Sequence, residues 1–256
     1  MATFLFDKIV FGPIKSRRLG NSLGVNILCA NSKHCNYNCV YCECGWTGVQ
    51  KNKLPTAQQV ANELEKYFKY LTDESIKPDV ITFAGNGEPT LNPQFNEIIN
   101  ETIRIRDIYA TDVNIAVLSN ATQLQNPKTV EAMNKIELPI LKIDTTNQSE
   151  FELINAPVDS IRINTIIEQI SSKINNPIIQ TMFFKAKFDK YSFDNTKSEH
   201  LEKFFDVLKK ISPKMVMIYS VDRDTPMKNI ERIDIVKMQE IGNEIKKMGF
   251  NTIVTN

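Results

Sequence analysis

Cysteine is absent from most of this chain. All five cysteines of the 256 residues lie between Cys29 and Cys44, and the sequence on either side of that segment has none. An odd number of cysteines crowded into one short segment does not tie distant parts of a fold together, so a disulfide framework is excluded. We expect the thiols to stay reduced and available for other chemistry.

Long apolar runs and an excess of one charge are absent as well. Hydrophobic residues make up 42% of the sequence, yet no apolar run approaches the ~20 residues that span a membrane. Residues 1–19 carry scattered charges and no apolar core of the kind that secretion signals have. The 31 basic and 30 acidic residues give a net charge of +1, which neither requires nor excludes a nucleic-acid partner. We therefore expect a cytoplasmic monomer without a membrane partner.

Short β-branched runs alternate with amphipathic stretches along the chain. This periodicity predicts strands at residues 24–28, 79–83, 113–118, 138–143, 177–184, 215–219 and 250–254. It predicts helices at residues 56–71, 93–106, 127–135, 161–174, 199–211 and 234–248. Strict alternation is typical of a parallel sheet with right-handed crossovers. The predicted fold class is α/β, and the first six strands suit a (β/α)6 partial TIM barrel.

The sequence predicts a single domain, because the alternation of strands and helices runs through the chain without a break. Neither an internal repeat nor a Gly/Ser-rich linker divides the chain, and its length can bury one complete core. We predict a single domain over residues 1–256, with a lead-in segment at 1–21, a six-stranded barrel core at 22–219, and a C-terminal helix and strand at 220–256. The polar residues 187–198 are predicted to form a long surface loop.

Three of the cysteines, Cys35, Cys39 and Cys42, follow directly after the first predicted strand. Their C-x3-C-x2-C spacing places three thiolates on one loop, where they can hold three corners of a cubane [4Fe-4S] cluster and leave the fourth iron open. Together with Cys44 they could instead close a tetrahedral zinc site, although such sites usually join two separated C-x2-C pairs. A non-catalytic zinc or iron-sulfur module therefore stays open at this point. Cys29 and Cys44 are assigned to packing.

A glycine-rich turn, Gly85-Asn86-Gly87-Glu88, follows the next predicted strand. Function in a barrel of this kind gathers at the carboxyl ends of the strands, so the turn and the cysteine run are expected at the same mouth. Glycines allow positive φ and close approach of the backbone to a ligand, and a glutamate can accept a hydrogen bond from an ammonium group. Taken alone, the turn would be an ordinary structural one.

Weaker signals lie at the ends of the later predicted strands. The polar residues there can hydrogen-bond a ribose or a carboxylate, but each is also an ordinary cap or loop residue. They are Ser119, Asn120, Asp144 and Tyr219. Arg223 has two interpretations, a position in the substrate mouth or a surface ion pair. The aromatic residues Tyr37, Tyr41 and Trp46 are expected to pack around the cysteines and exclude water.

The cysteine run, with Tyr41 before its last member, and the Gly85–Glu88 turn one strand later together resemble the signature of the radical SAM superfamily. The resemblance implies the partial barrel fold, a [4Fe-4S] cluster on the three cysteines, and an open iron that chelates S-adenosylmethionine. It also implies that Gly85, Asn86, Gly87 and Glu88 hold the methionine amino group, with Asn86 replacing the commoner glycine. The implied activity is reductive cleavage of the cofactor to a 5'-deoxyadenosyl radical, with an electron from a flavodoxin- or ferredoxin-like donor. No catalytic acid, base or nucleophile can be named.

The resemblance extends to a narrower group within that superfamily. Residues 11–20, 22–26, 85–93 and 218–226, together with the cysteine run, resemble the group related to wyosine-type tRNA synthetases. This group implies RNA nucleoside modification. Lys15, Arg17 and Arg18 could seat a tRNA backbone or a smaller phosphorylated substrate unless they form a solvated or ion-paired turn. Wyosine synthases carry further cysteines for a second cluster, which this chain lacks. An activase that places a glycyl radical on a partner enzyme also resembles a bare single-cluster barrel and is the alternative function.

Overall fold

The computed structural model describes residues 4–48 and 53–255, and all statements below refer to them. The strands are β1 Val10–Ser16, β2 Gly20–Val25, β3 Val80–Phe83, β4 Asn114–Ser119, β5 Leu138–Lys142, β6 Ile178–Lys187, β7 Ser192–Asp194, β8 Met215–Ser220, β9 Ile230–Arg232 and β10 Thr252–Val254. The helices are α1 Ala57–Asp73, α2 Phe95–Tyr109, α3 Pro127–Asn134, α4 Gln148–Ile154, α5 Ile163–Lys173, α6 Ser198–Ile211 and α7 Ile235–Lys247. Residues 1–3 of the predicted lead-in segment, and Asn256 at the other end of the predicted domain, lie outside the described residues.

The strands form one open, curled sheet in the order β1-β2-β3-β4-β5-β6-β8-β10. All neighbours from β2 to β10 in this order are parallel, and β1 runs antiparallel to β2. The short strands β7 and β9 lie off this order and pair antiparallel with β6. The α/β fold class and the six-stranded partial barrel are therefore confirmed, with β10 adding a seventh parallel strand. No helix in the described part of the chain has both the length and the apolarity that a membrane crossing requires.

The sheet has two faces with different contents. The outer face packs against the helices and forms the main core, which is rich in buried Ile, Leu, Val and Phe. The inner face has a smaller apolar layer, made of Val80, Ala116, Ile140, Ile178 and Met217. Because side chains alternate along a strand, the next inward positions lie nearer the carboxyl ends of the strands. These positions are occupied by Thr82, Lys142, Gln180 and Tyr219, so the inside of the barrel becomes polar toward its mouth.

The first strand differs from the prediction. Residues 24–28 were expected to form it, whereas the ladder begins at Gly20, and an additional strand, β1, pairs with it from Val10↔Val25 to Ser16↔Gly20. The hydrogen bonds to β1 and β3 define β2, and they extend over polar residues that the hydrophobic pattern does not mark. The lead-in segment is therefore part of the sheet.

The predicted surface loop at residues 187–198 also differs. Strand β6 continues to Lys187, and β7 folds back on it in the register Lys185↔Asp194. Phe193 at the centre of β7 is buried, which holds the segment against the main core. The prediction of a plain loop was therefore wrong for residues 192–194.

Candidate active site

The cysteine loop is held against the glycine-rich turn by its own backbone. His34 N–H donates to the carbonyl of Asn86 at 2.7 Å, and Glu88 N–H donates to the carbonyl of His34 at 3.0 Å. Gly87 has φ +140°, and a Cβ there would lie 2.0 Å from the His34 carbonyl oxygen. Glycine is therefore required at this position for two reasons, its φ angle and the close approach of the loop.

Asn86, the residue that replaces a glycine of the family pattern, is fully buried and joins three segments. Its side-chain amide donates to the carbonyls of Phe6 and Cys29, each at 2.7 Å, and its Oδ1 accepts from Phe6 N–H at 2.8 Å. The side chain thus connects the turn to the lead-in segment and to the start of the cysteine loop. Its predicted contact with a cofactor remains a proposal.

The opposite side of the cysteine loop is held by the segment after α4. Val40 N–H donates to the carbonyl of Ile154 at 2.9 Å, and Asn38 N–H donates to that of Asn155 at 3.0 Å. The loop therefore lies between two parts of the chain that are fixed by the sheet and by a helix. Such preorganisation keeps the three sulfurs near one another without a metal.

Each predicted cluster ligand has polar neighbours. Cys35 Sγ accepts from Tyr37 N–H at 3.4 Å and lies 3.9 Å from the amide nitrogen of Asn120. Cys39 Sγ accepts from the Asn155 amide at 3.4 Å. Hydrogen bonds to sulfur are what a protein uses to stabilise a thiolate bound to iron.

The charges around the sulfurs are uneven. Burial raises the pKa of Cys35 and of Cys39. A hydrogen bond from Cys44, helped by Lys33, lowers the pKa of Cys42 to about 6. Lys33 is only 3% exposed and donates to the carbonyl of Gly45 at 3.0 Å. A cationic side chain is therefore buried beside the last cysteine of the run.

These residues fit a cubane cluster. No three His, Cys, Asp or Glu side chains within 4–48 and 53–255 are arranged to hold a single metal ion. A cubane has a different requirement, since each thiolate binds its own iron at a separate corner. Three buried polar atoms on or beside the loop also lack a partner among the described residues, namely Ser32 Oγ, His34 Nδ1 and Tyr37 Oη. Together, the three thiols and these polar groups form a donor set of the kind that surrounds an iron-sulfur cluster.

Glu88 lies at the centre of a complete hydrogen-bond network. Its Oε1 accepts from Thr90 N–H and hydroxyl and from the Ser119 hydroxyl, at 3.1, 2.5 and 2.9 Å, and its Oε2 accepts from Asn120 N–H at 2.6 Å. Burial raises the pKa of this carboxyl, and the donors oppose that effect. Ser119 and Asn120, both predicted site residues, therefore meet the glycine-rich turn directly.

Asp144 is buried in a second network, which reaches the cysteine loop. Its carboxylate accepts from the Tyr41 hydroxyl, from the Asn155 amide at 3.1 Å and from Met182 N–H at 3.0 Å. Lys142 Nζ lies 3.4 Å from the same carboxylate. Asn155 was missed at the sequence level, because an asparagine after a helix is an ordinary C-terminal cap.

Tyr219, at the end of β8, lies between two cationic groups inside the barrel. Its hydroxyl accepts from Lys142 Nζ at 2.6 Å, and the guanidinium carbon of Arg18 lies 4.4 Å from its ring centre. The nearby carboxylate of Asp144 raises the pKa of Lys142 despite its burial. Lys142 was also missed, although a lysine at an inward position of an otherwise apolar strand was a usable signal.

The predicted basic turn does not form a single surface patch. Lys15 is exposed, but Arg17 forms an ion pair with Asp222 at 2.9 Å, and Arg18 turns inward to Tyr219. Cation–π contact and the inner polar layer explain the direction of Arg18. Arg18 therefore contacts Tyr219 and shares no surface patch with Lys15, and its predicted contact with RNA remains a proposal.

A cavity of about 550 Å³ opens beside the cysteine loop. Cys42 and Trp46 line one side, and Arg223 and Lys228 line the other. Trp46 is 48% exposed, so it does not pack over the cysteines as expected, whereas Tyr37 and Tyr41 are buried as expected. Arg223 satisfies both interpretations, because it lines the cavity and pairs with Glu43 at 2.7 Å.

The three cysteines Cys35, Cys39 and Cys42, the glycine-rich turn and the parallel strands β3, β4 and β5 all lie within a family match. Residues 32–165 match the model of the radical SAM superfamily. The chain belongs to the radical SAM superfamily. Enzymes of this superfamily use a [4Fe-4S] cluster and S-adenosylmethionine, and the family match assigns this chain to the S-adenosylmethionine-dependent radical enzymes as a class.

Two relatives of this radical SAM chain match most of its length. It is 31% identical over 224 residues to a UPF0026 protein of Helicobacter pylori, covering 86% of this chain and 68% of that protein. It is 29% identical over 243 residues to a protein of Brachyspira hyodysenteriae named GTPase Obg, covering 92% of this chain. The chain spans only 33% of the length of the Brachyspira protein.

Solved structures share the fold at low sequence identity. SuiB of Streptococcus suis bound to S-adenosylmethionine has a TM-score of 0.65 at 14% identity, covering 92% of this chain and 52% of that one. TYW1 with a lysine-pyruvate adduct has a TM-score of 0.63 at 14% identity, covering 88% of this chain and 73% of that one. At such identities the similarity concerns the fold alone.

Proposed function

We propose that Cys35, Cys39 and Cys42 hold the [4Fe-4S] cluster of this enzyme. The observation that carries this assignment is the loop, which is fixed on both sides by backbone hydrogen bonds. Two of its sulfurs accept hydrogen bonds, Cys35 from Tyr37 N–H in the loop and Cys39 from the side-chain amide of Asn155. When bound, the cluster supplies the electron that cleaves S-adenosylmethionine to the 5'-deoxyadenosyl radical, which abstracts hydrogen from the substrate. Tyr37 and Tyr41, both buried, exclude water from the sulfurs.

The cofactor proposal extends to the walls of the mouth. Gly85, Asn86, Gly87 and Glu88 are the proposed contacts to the methionine part of S-adenosylmethionine, through backbone groups and the Glu88 carboxylate. The spaces beside the two glycines are filled by the chain itself, by Asn26 at Gly85 and by the His34 carbonyl at Gly87. The remaining proposed contacts come from strand ends, and they are Ser119, Asn120, Asp144 and Tyr219. Support comes from their convergence, since Ser119 and Asn120 bond Glu88, and Asp144 reaches Asn155 beside Cys39.

For the substrate, an RNA nucleoside is our proposal, with tRNA as the first candidate. The cavity beside Cys42 supports it, because an exposed tryptophan is a stacking surface for a base and Lys228 and Arg223 can meet phosphates. In the basic turn, Lys15 and Arg17 are exposed, and Arg17 is held in its ion pair with Asp222. A protein substrate, as for a glycyl-radical activase, is the alternative. We further propose that the enzyme is a single-domain cytoplasmic monomer that receives electrons from a flavodoxin- or ferredoxin-like protein.

The cluster assignment is tested by anaerobic purification, iron and sulfide analysis, and assay of 5'-deoxyadenosine after reduction and addition of S-adenosylmethionine. Wild-type protein should be brown and form 5'-deoxyadenosine, and Cys39→Ala should lose both properties. Cys29→Ala is the matched control, because that cysteine is buried outside the run. A colourless, zinc-loaded wild-type protein would overturn the assignment.

The substrate proposal is tested by adding unfractionated tRNA to the active enzyme. We expect faster 5'-deoxyadenosine formation and a new nucleoside mass, and Trp46→Ala should lose most of the stimulation while keeping basal cleavage. Tyr70→Ala, a similarly exposed aromatic residue on α1, is the control and should retain the stimulation. Stimulation by a co-purifying protein and not by tRNA would favour the activase.

A further inference from the structure

Two cationic side chains inside the barrel share one aromatic neighbour. Lys142 Nζ lies 5.0 Å from the ring centre of Tyr219 and also donates to its hydroxyl. The guanidinium carbon of Arg18 lies 4.4 Å from the same ring centre. Both cationic groups therefore contact Tyr219, in the polar layer of the inner face.

Around Tyr219, hydrogen-bond donors outnumber the acceptors that face them. Arg18 Nη1 and Gln180 Nε2 are both buried, and neither has a hydrogen-bond partner in the described part of the chain. Gln180 is paired in register with Lys142 on the neighbouring strand, so the two side chains share the inner face. A buried donor without a partner is costly, and native proteins rarely retain one without a ligand or a water to receive it.

The same region has more cationic groups than carboxylates to pair with them. Asp144 is the carboxylate that contacts Lys142, and its oxygens also accept from Tyr41, Asn155 and Met182 N–H. The guanidinium of Arg18 has no ion pair of its own among the described residues, whereas neighbouring Arg17 pairs with Asp222. Two cations thus have one carboxylate in direct contact, and that carboxylate is already shared.

Arg18 reaches this place from an unusual direction. It belongs to the turn between β1 and β2, at the amino end of β2, whereas the proposed cofactor residues come from the carboxyl ends of the strands. The sheet is open between its first and last strands, and the Arg17–Asp222 ion pair holds the turn near the end of β8. Leu19, the next residue, packs against the inner apolar layer, so the turn that carries Arg18 lies against the inner face of the sheet.

We propose that Arg18, Lys142, Gln180 and Tyr219 form an inner anion site, which binds a carboxylate or phosphate group of the substrate. The two cations neutralise the anion, and the free N–H groups of Arg18 and Gln180 donate to its oxygens. The site rests on the proposed function only in naming the substrate as the source of the anion. Binding of a simple anion needs no cleavage of S-adenosylmethionine, so failure of this site and failure of the radical chemistry are distinguishable.

The experiment is calorimetric titration of the cluster-loaded protein, with S-adenosylmethionine present, using inorganic phosphate and malonate as probes. We expect wild-type protein to bind at least one of them, and Arg18→Met or Lys142→Met to weaken that binding at least about tenfold. Lys8→Met removes an exposed cation from the same N-terminal segment and should change the affinity less than about twofold. Absence of binding to wild-type protein, or an affinity in both inner variants equal to that of the wild type, would overturn the proposal.

A second titration separates the two sources of an anion. S-adenosylmethionine carries a carboxylate of its own, so its affinity is measured for the same variants without phosphate. We expect changes below about threefold, because Arg18 and Lys142 are not themselves proposed cofactor contacts and only adjoin one of them, Tyr219. A loss for S-adenosylmethionine as large as that for phosphate would assign the cations to the cofactor and overturn the substrate assignment.

Thermal unfolding separates a ligand site from a structural one. Phosphate should raise the unfolding midpoint of the wild type and not that of Arg18→Met, because a ligand stabilises only the folded state that binds it. In phosphate-free buffer the variant should melt at or above the wild-type midpoint, since it loses an unpartnered buried charge. Should Arg18→Met not fold, Arg18→Lys keeps the charge and must show the phosphate-dependent rise. A midpoint lowered equally with and without phosphate would make Arg18 a structural partner of Tyr219.

Discussion

The two sides of the barrel mouth differ in how their polar groups are completed. At the glycine-rich turn, the four hydrogen bonds to Glu88 all come from the chain itself, through Thr90, Ser119 and Asn120. At the inner anion site, Arg18 and Gln180 keep buried N–H groups without partners among the described residues. At the turn, the hydrogen bonds are thus complete without a ligand. At the inner anion site, the free N–H groups gain partners only when a ligand binds. Substitutions should therefore affect stability on the first side and ligand binding on the second.

At the glycine-rich turn, the largest effect on stability is expected from Gly87→Ala. The added Cβ would meet the His34 carbonyl at 2.0 Å in a backbone with φ +140°. We expect a loss of about 3 kcal/mol in the free energy of unfolding, together with poor iron incorporation. Denaturant unfolding and iron analysis measure the two effects.

Gly249→Ala is the control for that substitution. Gly249 also has a positive φ, +94°, but nothing lies within 4 Å of the added Cβ. It therefore carries the backbone strain without the collision, and iron content should stay normal. Equal iron loss in both variants would contradict the role given to the contact between Gly87 and His34.

A smaller effect is expected from Glu88→Gln. The amide keeps one acceptor but turns an NH2 group toward donors that the carboxylate accepted, such as Asn120 N–H at 2.6 Å. We expect the protein to lose about 2 kcal/mol of unfolding free energy. Glu65→Gln, at an exposed helix position, should leave the unfolding curve in place. A stable Glu88→Gln variant would show that the network is not complete without a ligand.

The next effect is electrostatic and concerns the cysteine loop. Lys33 is buried beside Cys42, and a positive charge there favours the cluster state that carries one more electron. Lys33→Met should lower the cluster's reduction potential on the order of 50–100 mV, the effect of one charge at an effective dielectric constant of about 20. Redox titration followed by electron paramagnetic resonance measures it. Lys33→Arg keeps the charge, so its reduction potential should lie close to that of the wild type. An unchanged potential in Lys33→Met would show that Lys33 does not tune the cluster.

The smallest effect on stability is expected from Arg17→Ala. Its ion pair with Asp222 is about 40% exposed on each side, so solvent screens it, and the loss should stay below about 1 kcal/mol. Phosphate binding should nevertheless weaken, because the pair holds the turn that carries Arg18. Unfolding curves and phosphate titration of the same sample test both parts. A large loss of stability with intact phosphate binding would reverse the comparison between the two sides.

The sequence predicted the alternation and most element ends, because the outer face of each strand and helix is apolar with a regular period. Strand β1 escaped notice, since Gly12 and Pro13 interrupt its pattern and its hydrogen bonds go to a single neighbour. The spacing of Cys35, Cys39 and Cys42 was readable because all three lie on one loop. The partners of their sulfurs were not readable, since Asn120 and Asn155 come from distant parts of the chain and asparagine has many ordinary uses.

Arg18 and Lys142 show the same limit more sharply. Their residue types were visible, but a charged residue near a turn or a strand end is usually a solvated one. The curl of the sheet decides that both reach the same tyrosine, and that curl is a property of the whole chain. The sequence therefore shows the type of each residue, whereas the direction in which its side chain points depends on the fold.

The donors to the cysteine loop also set an order of events during synthesis. Asn155, which bonds Cys39 Sγ, lies 116 residues after it, and Asp144, which bonds Tyr41, lies 103 residues after that tyrosine. Because chains emerge from the ribosome N-terminus first, the thiols leave it well before these partners exist. The nascent protein therefore passes through a period with a bare cysteine loop, and iron delivered after residue 155 has emerged meets a loop already in shape to receive it.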